Sequence, residues 1–186
     1  MPSAASCGTI RCVRRIFIDT EFKNLPWTGH SEMLWVGLAD VEGNAWSAIN
    51  ADLAIDDHAS EFTRDVVVPR MTPEEPRLRG HELSEAIRRF CGDVDEFWAW
   101  CPTVEVLAGL FGLGDAASDA HRQYWDWDLQ LLRRAVSPWP DGWPTRLHDL
   151  NAAARAAGVM PPTNESAHHP RADALWNVRV FKLIHP

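Results

Sequence analysis

The first half of the chain carries short apolar runs separated by turn residues, which is the pattern of β-strands. Residues 14–19 and 34–40 are such runs, and 42–44 (Glu-Gly-Asn) form a turn signal before a third run at 45–49. Runs of this length joined by a Gly/Asn turn are typical of antiparallel hairpins. We therefore predict an antiparallel meander at the start of the domain, whose first strand ends in the carboxylate of Asp19.

The second half of the chain changes to helical spacing. Leu83, Ile87 and either Phe90 or Cys91 follow one stripe of a helix predicted over 81–91, and Gly92 suits its end. Further helices are predicted over 103–111, 118–136, 150–157 and 170–184, with strands at 96–100 and 146–149. Strands first, then strands alternating with helices, indicate an α/β domain with a mixed sheet flanked by helices.

Composition places limits on this picture. The 186 residues are 46% hydrophobic and 24% charged, which suits one globular domain with a sizeable core. No apolar run approaches the ~18 residues of a membrane span, and residues 1–13 lack the apolar segment of a signal peptide. We expect a flexible leader over 1–13, one domain over 14–186, no membrane association, and a cytoplasmic location in which the cysteines are free thiols.

Acidic residues are in excess, and one local pair of them stands out. The net charge of −8 argues against broad attraction to nucleic-acid backbones, although cations bound by clustered carboxylates would remove that repulsion. Asp19 and Glu21 stand at i and i+2 of the first strand, so both side chains lie on one face. A divalent ion with oxygen ligands would relieve the repulsion between them. The alternative is a strand end that runs into solvated acids.

His168 and Asp173 form a second candidate group, at the start of the last helix. Pro170 fits the first turn of that helix, so Asp173 lies near the helix start and His168 lies on the loop before it. A neutral imidazole there can accept a proton from water on a metal ion that the aspartate holds. The alternative is a surface His168–His169 pair beside an acid that complements the helix dipole.

Glu105 is the third candidate, near the start of the helix predicted over 103–111. Its neighbours one turn further on, Ala108 and Gly109, are small and leave space over the carboxylate. A lone helical glutamate is more often solvated. Glu105 therefore gains weight only in combination with the other two groups.

The combination resembles the DEDDh 3'-5' exonucleases. The resemblance rests on the segments 17–22 (Phe-Ile-Asp-Thr-Glu-Phe), 97–105, 147–150 (Leu-His-Asp-Leu) and 168–177, in this order, and it is closest to the branch of ribonuclease T and exoribonuclease AS. It implies a ribonuclease H-like fold, two Mg²⁺ or Mn²⁺ ions, and removal of nucleotides from the 3' end of single-stranded nucleic acid, RNA more than DNA. In such a site one ion positions the attacking hydroxide and the other stabilises charge on the leaving oxygen.

The resemblance also implies roles for individual residues. The metal ligands would be Asp19, Glu21, Glu105 and Asp173, the general base would be His168 rather than His169, the substrate contacts would be Thr20 and Phe22, and Asp149 would be structural. Glu105 stands where the family has an aspartate, and a misplacement of about 1 Å can cost about 100-fold in rate. Two alternatives therefore stay open: a catalytically impaired module that binds nucleic acid or protein, and a phosphodiesterase for short oligonucleotides.

A Trp-rich segment at about 114–144 looks like an insertion relative to that branch. Its aromatic residues are Tyr124, Trp125, Trp127, Trp139 and Trp143, and they can stack on unpaired bases at about 1–3 kcal/mol per base. Packing on the core or on a dimer mate is the favoured alternative, because tryptophans in a small domain serve mainly cores and interfaces. A homodimer is compatible with the same residues and with the resemblance.

Overall fold

A six-stranded mixed sheet organises the protein. The computed structural model describes residues 12–29, 31–55, 59–109 and 111–186, so residues 1–11 of the predicted leader lie outside the described ranges. The strands are β1 (Arg15–Phe22), β2 (Met33–Asp40), β3 (Ala45–Asn50), β4 (Arg77–Leu78), β5 (Glu96–Ala99) and β6 (Leu147–Asp149). They lie in the order β4-β3-β2-β1-β5-β6.

The pairing of the strands confirms the predicted fold class. β1, β2 and β3 pair antiparallel, as the hairpin signals predict, with Asp19 opposite Gly37 in the first ladder. β5 lies parallel to β1, and β6 lies parallel to β5, an arrangement that needs crossover connections. β4 is a short strand parallel to β3 that the sequence pattern does not indicate.

Six α-helices accompany the sheet in the described part of the chain. They are α1 (Gly80–Cys91), α2 (Val104–Gly109), α3 (Ala117–Tyr124), α4 (Trp127–Ala135), α5 (Leu150–Ala156) and α6 (Pro170–Ile184). The single helix predicted over 118–136 is wrong, because the chain leaves helical geometry at Asp126 (φ −100°, ψ 31°) and divides into α3 and α4. No helix within the described ranges is long and apolar enough to cross a membrane.

Alternation along β1 divides its side chains between two helical layers. Ile18 packs on one face of the sheet with α1 and α4, whereas Phe17 packs on the other face with α5 and α6. Successive residues of a strand point to opposite faces, so Asp19 and Glu21 continue the row of Phe17 toward α6. Thr20 continues the opposite row toward α4. The polar end of β1 therefore lies between helices from both layers.

Gly37 on β2 lets α6 come very close to the sheet. A β-carbon at this position would lie 2.1 Å from the carbonyl carbon and oxygen of Pro170 and 2.4 Å from the nitrogen of Arg171. Only glycine fits where two backbones approach so closely. Because Gly37 pairs with Asp19 across the ladder, this contact brings the first turn of α6 over the carboxylate end of β1.

The connection from α5 to α6 borders the same region. Asp149 caps α5, where its Oδ1 accepts a hydrogen bond from the backbone nitrogen of Ala152 at 3.0 Å, which is a structural role. Residues 157–169 then form a loop without regular secondary structure. Met160 in this loop is 88% exposed.

The aromatic residues of the Trp-rich segment are divided between core and cavity. Trp139 and Trp143 pack on Phe97, with ring centroids 5.9 and 5.7 Å from it. Tyr124 and Trp127 instead line the cavity that holds the candidate site. Trp139 and Trp143 thus pack on the core, whereas base stacking by Tyr124 and Trp127 stays a prediction.

Candidate active site

Three of the candidate acids converge at the end of β1. Ligand oxygens of Asp19, Glu21 and Asp173 lie within 4.8 Å of one another. Glu21 and Asp173 are 4% and 8% exposed, and Asp19 is partly exposed. The period of the strand brings the first two together, and the contact of α6 with Gly37 brings the third.

Hydrogen bonds hold the Asp173 carboxylate at both oxygens. Oδ1 accepts from the Nδ2 of Asn164 at 2.6 Å, and Oδ2 accepts from the backbone nitrogen of His168 at 2.8 Å. The second bond supports the left-handed backbone of His168, φ 68°, which residues other than glycine adopt uncommonly. The loop thereby turns back over the start of α6 and places His168 beside the acids.

The imidazole of His168 lies against the cluster. Its Nδ1 is 3.4 Å from the Oε1 of Glu21, and its ring packs edge-on against Phe62 with centroids 5.0 Å apart. The hydrogen-bonding interaction with the Glu21 carboxylate raises the pKa of His168, while burial opposes that shift. A histidine in this position can accept a proton at the acid cluster and release it.

His169 belongs to a separate network behind the cavity. Its Nε2 lies 3.6 Å from the Oε1 of the buried Glu75, and its ring centroid lies 4.6 Å from that of Trp35. The hydroxyl of Ser47 donates to the same carboxylate. His168 is therefore the histidine that lines the cavity, and His169 anchors the loop that carries it.

A fourth carboxylate, Asp128, enters from α4. Its Oδ1 accepts hydrogen bonds from the backbone nitrogen of Thr20 at 2.8 Å and from the Thr20 hydroxyl at 2.7 Å. Both bonds use Oδ1, and Asp128 lines the same cavity as the other three acids. Because Thr20 stands between Asp19 and Glu21, these bonds attach α4 to the stretch of β1 that carries the first two acids.

Glu105 lies outside the cluster, which corrects the expectation that it completes the ligand set. It stands in the first turn of α2 with its side chain in solvent, and it does not line the cavity, whereas Val106 and Leu107 do. Helix geometry is the reason. Leu107 is the buried residue of α2, and Glu105, two residues and about 200° earlier, faces away from it.

Asp128 does have a signal in the sequence. It is flanked by Trp127 and Leu129, and Leu131 and Ala135 follow at i+3 and i+7, so an acid lies on an apolar face of its helix. A carboxylate in such a position needs a partner or a ligand. The sequence does not show that this face reaches β1, because that depends on the break that separates α4 from α3.

The surroundings raise the pKa values of all four carboxylates. For Asp19, burial is the largest cause, followed by repulsion from Asp173, Asp128 and Glu21. Burial raises the pKa of Asp128 to about 7, although the hydrogen bonds from Thr20 oppose the shift. Burial also raises the pKa values of Glu21 and Asp173. Hard oxygen donors with this much unneutralised charge fit a divalent cation such as Mg²⁺ or Mn²⁺.

Aromatic side chains enclose the acids in a cavity of about 390 Å³. On one side, ring centroids lie 6.5 Å apart for Phe22 and Phe62, 6.2 Å for Phe62 and Phe111, and 5.2 Å for Phe111 and Trp27. Elsewhere in the lining, Trp100 packs on Trp176 at 4.9 Å. Thr20 and Phe22, the expected substrate contacts, both line this cavity. Flat apolar walls of this kind fit nucleobases.

Asn177 adds a polar group that the sequence pattern does not single out. It lies one turn after Asp173 on α6, is 1% exposed and lines the cavity. Its Nδ2 donates to the carbonyl oxygen of Ile18 at 3.2 Å, which ties α6 to β1 directly before Asp19. Its Oδ1 has no hydrogen-bond partner among the described residues and is available to a water or ligand.

The fold has a counterpart among solved structures. No protein-family model and no curated protein sequence matches the chain. The structure is similar to the X-ray structure of the RNase domain of the yeast Pop2 protein, with a TM-score of 0.50 and 12% sequence identity, over 91% of this chain and 76% of that chain. At this identity the similarity shows the fold, a ribonuclease H-like α/β fold, and does not assign the branch of exonucleases.

Proposed function

We propose that the protein is a metal-dependent 3'-5' exonuclease that hydrolyses single-stranded nucleic acid, RNA in preference to DNA. The observation that carries the proposal is the convergence of four carboxylates and His168 in one aromatic-lined cavity. The similarity of the fold to an RNase domain supports it. The direction of cleavage and the preference for RNA rest on the resemblance of residues 17–22 and 168–177 to the DEDDh exonucleases.

Asp19, Glu21 and Asp173 are the residues that would hold the divalent ions, with Asp128 as a fourth donor from α4. The donor set fits, because it consists of hard oxygens, three of them within 4.8 Å, in a buried setting where a cation would favour the charged carboxylates. Two such ions stabilise the negative charge that develops on the phosphate and on the leaving oxygen.

His168 is the general base of this proposal. Its imidazole stands 3.4 Å from Glu21 and packs against Phe62, so its position relative to the acids is restricted from two sides. The imidazole can take a proton from the attacking water. It can then release that proton to solvent, because the side chain is 39% exposed.

The size of the cavity supports attack at a strand end. A volume of about 390 Å³ lies in the range of small-molecule pockets and suits a single terminal nucleotide better than a continuous strand. The terminal base can stack on Phe22 or Phe62, which places the phosphate on its 5' side near the acids. Stacking is tolerant of base identity, so we expect little sequence preference.

Hydrolysis of a 5'-labelled single-stranded RNA in Mn²⁺ tests the proposal. We expect products shortened one nucleotide at a time. Asp19→Asn and Asp128→Asn are expected to lower the rate ~100-fold or more, because each removes a negative oxygen donor that would hold the divalent ions, and those ions would stabilise the transition state. Glu105→Gln is the matched control and is expected to keep the wild-type rate, since its side chain is in solvent. Internal cleavage, or full activity of Asp19→Asn, would contradict the proposal.

Two other functions are considered beside the exonuclease: a catalytically impaired binding module and a phosphodiesterase for short oligonucleotides. The impaired binding module stays an alternative, because Glu105, which stands where the family has an aspartate, lies in solvent and not at the cluster. A phosphodiesterase for short oligonucleotides remains the second candidate, because the cavity encloses about one nucleotide by its volume. The turnover of a dinucleotide and of a long strand distinguishes the two, since only the phosphodiesterase favours the dinucleotide.

A further inference from the structure

A second cavity, of about 550 Å³, lies beside the active site on the same two segments of the chain. Its lining includes Ser31, Glu32 and Met33 from the segment after β1, and Leu131, Arg134 and Ala135 from α4. It contains none of the four carboxylates. The proposed catalytic step does not use it.

Two structural connections link this cavity to the active site. Along α4, Leu131 lies one turn after Asp128 on the same helix face, and Arg134 lies six residues, about 9 Å along the axis, beyond Asp128. Across the sheet, Met33 pairs with Phe22, which lines the active-site cavity. The two cavities therefore adjoin along α4 and along the connection from β1 to β2.

The guanidinium of Arg134 is exposed but held in place. Its Nη1 donates to the carbonyl oxygen of Ser31 at 3.1 Å, and its Cζ lies 5.1 Å from the ring centroid of Trp127. Among the described residues it forms no ion pair with a carboxylate. Its remaining N–H groups stay available to an anion, in a geometry fixed before binding.

The hydroxyl of Ser31 is buried in the lining of the second cavity without a hydrogen-bond partner among the described residues. The residue is 4% exposed. A buried hydroxyl without a partner is unfavourable, so an unpartnered hydroxyl in the lining of a cavity indicates a ligand. A phosphate oxygen can accept from this hydroxyl and from the Arg134 guanidinium together.

We propose that Arg134 and Ser31 bind a phosphate of the substrate strand upstream of the scissile bond. The inference rests on the proposed exonuclease function and adds a substrate class, namely strands long enough to extend from the active site to Arg134. The exposed Glu32 at the rim opposes anion binding and moderates the affinity.

Length-dependent kinetics test this site. We compare the KM values for an RNA octamer and a dinucleotide in Mn²⁺. Arg134→Ala is expected to raise the octamer-to-dinucleotide KM ratio about tenfold, and to reduce the slope of log KM for the octamer against log salt by about 0.7, the value for one phosphate contact on a single strand. Ser31→Ala is expected to raise the ratio about threefold, whereas Glu32→Gln lowers it.

Arg133→Ala is the matched control, because Arg133 is exposed and lies over Trp139 instead. It is expected to keep the wild-type ratio, and equal ratios in the two arginine variants would overturn the proposal. If the wild type hydrolyses neither substrate, the proposed function fails. Fluorescence anisotropy with a labelled octamer then decides the site separately: weaker binding by Arg134→Ala than by Arg133→Ala supports it, and equal binding overturns it.

Discussion

At the scale of single residues, Asp128 links the geometry of the site to the stability of the protein. Burial raises its pKa to about 7, whereas an aspartate in an unfolded chain titrates near ~3.9. The folded state therefore holds the proton more tightly than the unfolded chain does. The stability contributed by the protonated group is fully present below the unfolded pKa and is lost as the pH rises through the folded pKa. Asp19, Glu21 and Asp173 share this direction.

We expect the metal-free protein to unfold at a temperature about 5–10 °C lower at pH 8 than at pH 5, measured by differential scanning fluorimetry in EDTA. Asp128→Asn keeps an acceptor oxygen for Thr20 but no longer titrates, so it should reduce this difference. Glu105→Gln, which alters an acid in solvent, should retain it. A metal-free protein that is more stable at pH 8 than at pH 5 would contradict the claim that folding raises the pKa values of these acids.

Five side chains make up the candidate site, and the positions of four of them can be predicted from sequence because they depend on short-range geometry. The i, i+2 spacing places Asp19 and Glu21 on one face of a strand, and Pro170 places Asp173 at a helix start with His168 before it. The fifth group depends on a contact between residues 20 and 128. The apolar neighbours of Asp128 mark it as an acid on a buried helix face, but no local pattern shows that this face meets β1.

At the scale of elements, the site depends on how closely α6 approaches β2. The position of α6 is set by a glycine in the sheet rather than by a residue of the helix, because the backbone of Pro170 occupies the space that a β-carbon at position 37 would need. The helix carries Asp173, and the loop before it carries His168. A small displacement of α6 would therefore separate both groups from Asp19.

Gly37→Ala is expected to destabilise the protein by about 3 kcal/mol or more, because the added carbon meets backbone atoms that cannot rotate away. Its folded fraction should bind Mn²⁺ more weakly, since α6 must shift. Gly109→Ala is the matched control, since a β-carbon added there would meet no heavy atom of another element within 4 Å, and its effect should stay within about 1 kcal/mol. Urea denaturation measures the free energy of unfolding of both variants. Similar losses of stability in the two variants would refute the claim that Gly37 is needed for the close approach of α6.

Most elements of the fold can be predicted because their periodicity is local. The strands β2 and β3 and the helices α1 and α6 lie within a residue or two of their predicted bounds. The division of residues 118–136 could not be predicted, since the segment contains neither glycine nor proline. The short strand β4 could not be predicted either, because it forms only through pairing with β3.

At the scale of the whole molecule, the tryptophans pack within this chain, and four of its acids line the cavity of the candidate site. Trp35, Trp127, Trp143 and Trp176 are at most 9% exposed, and Trp100 packs on Trp176. The tryptophan content therefore needs no partner subunit to account for it, and the homodimer stays a prediction. Four of the 26 acidic residues line the cavity, where a divalent ion would neutralise their charge.

Mn²⁺ is expected to raise the unfolding temperature of the wild type by about 5–10 °C at roughly one hundred times its Kd, since binding at that ratio stabilises a protein by about 2.7 kcal/mol. Asp173→Asn should lose most of this shift, because the variant lacks one of the three grouped ligands. Glu105→Gln should retain it. An equal shift in both variants would place the ion elsewhere.

The exposed loop between α5 and α6 divides the groups of the candidate site between two parts of the chain. The part before Met160 supplies the sheet, Asp19, Glu21 and Asp128, whereas the part after Met160 supplies His168 and Asp173. A single proteolytic cut near Met160, which is 88% exposed, would leave each portion incomplete. We therefore expect the site to form only when the C-terminal portion packs its backbone on Gly37, as it does in the intact chain.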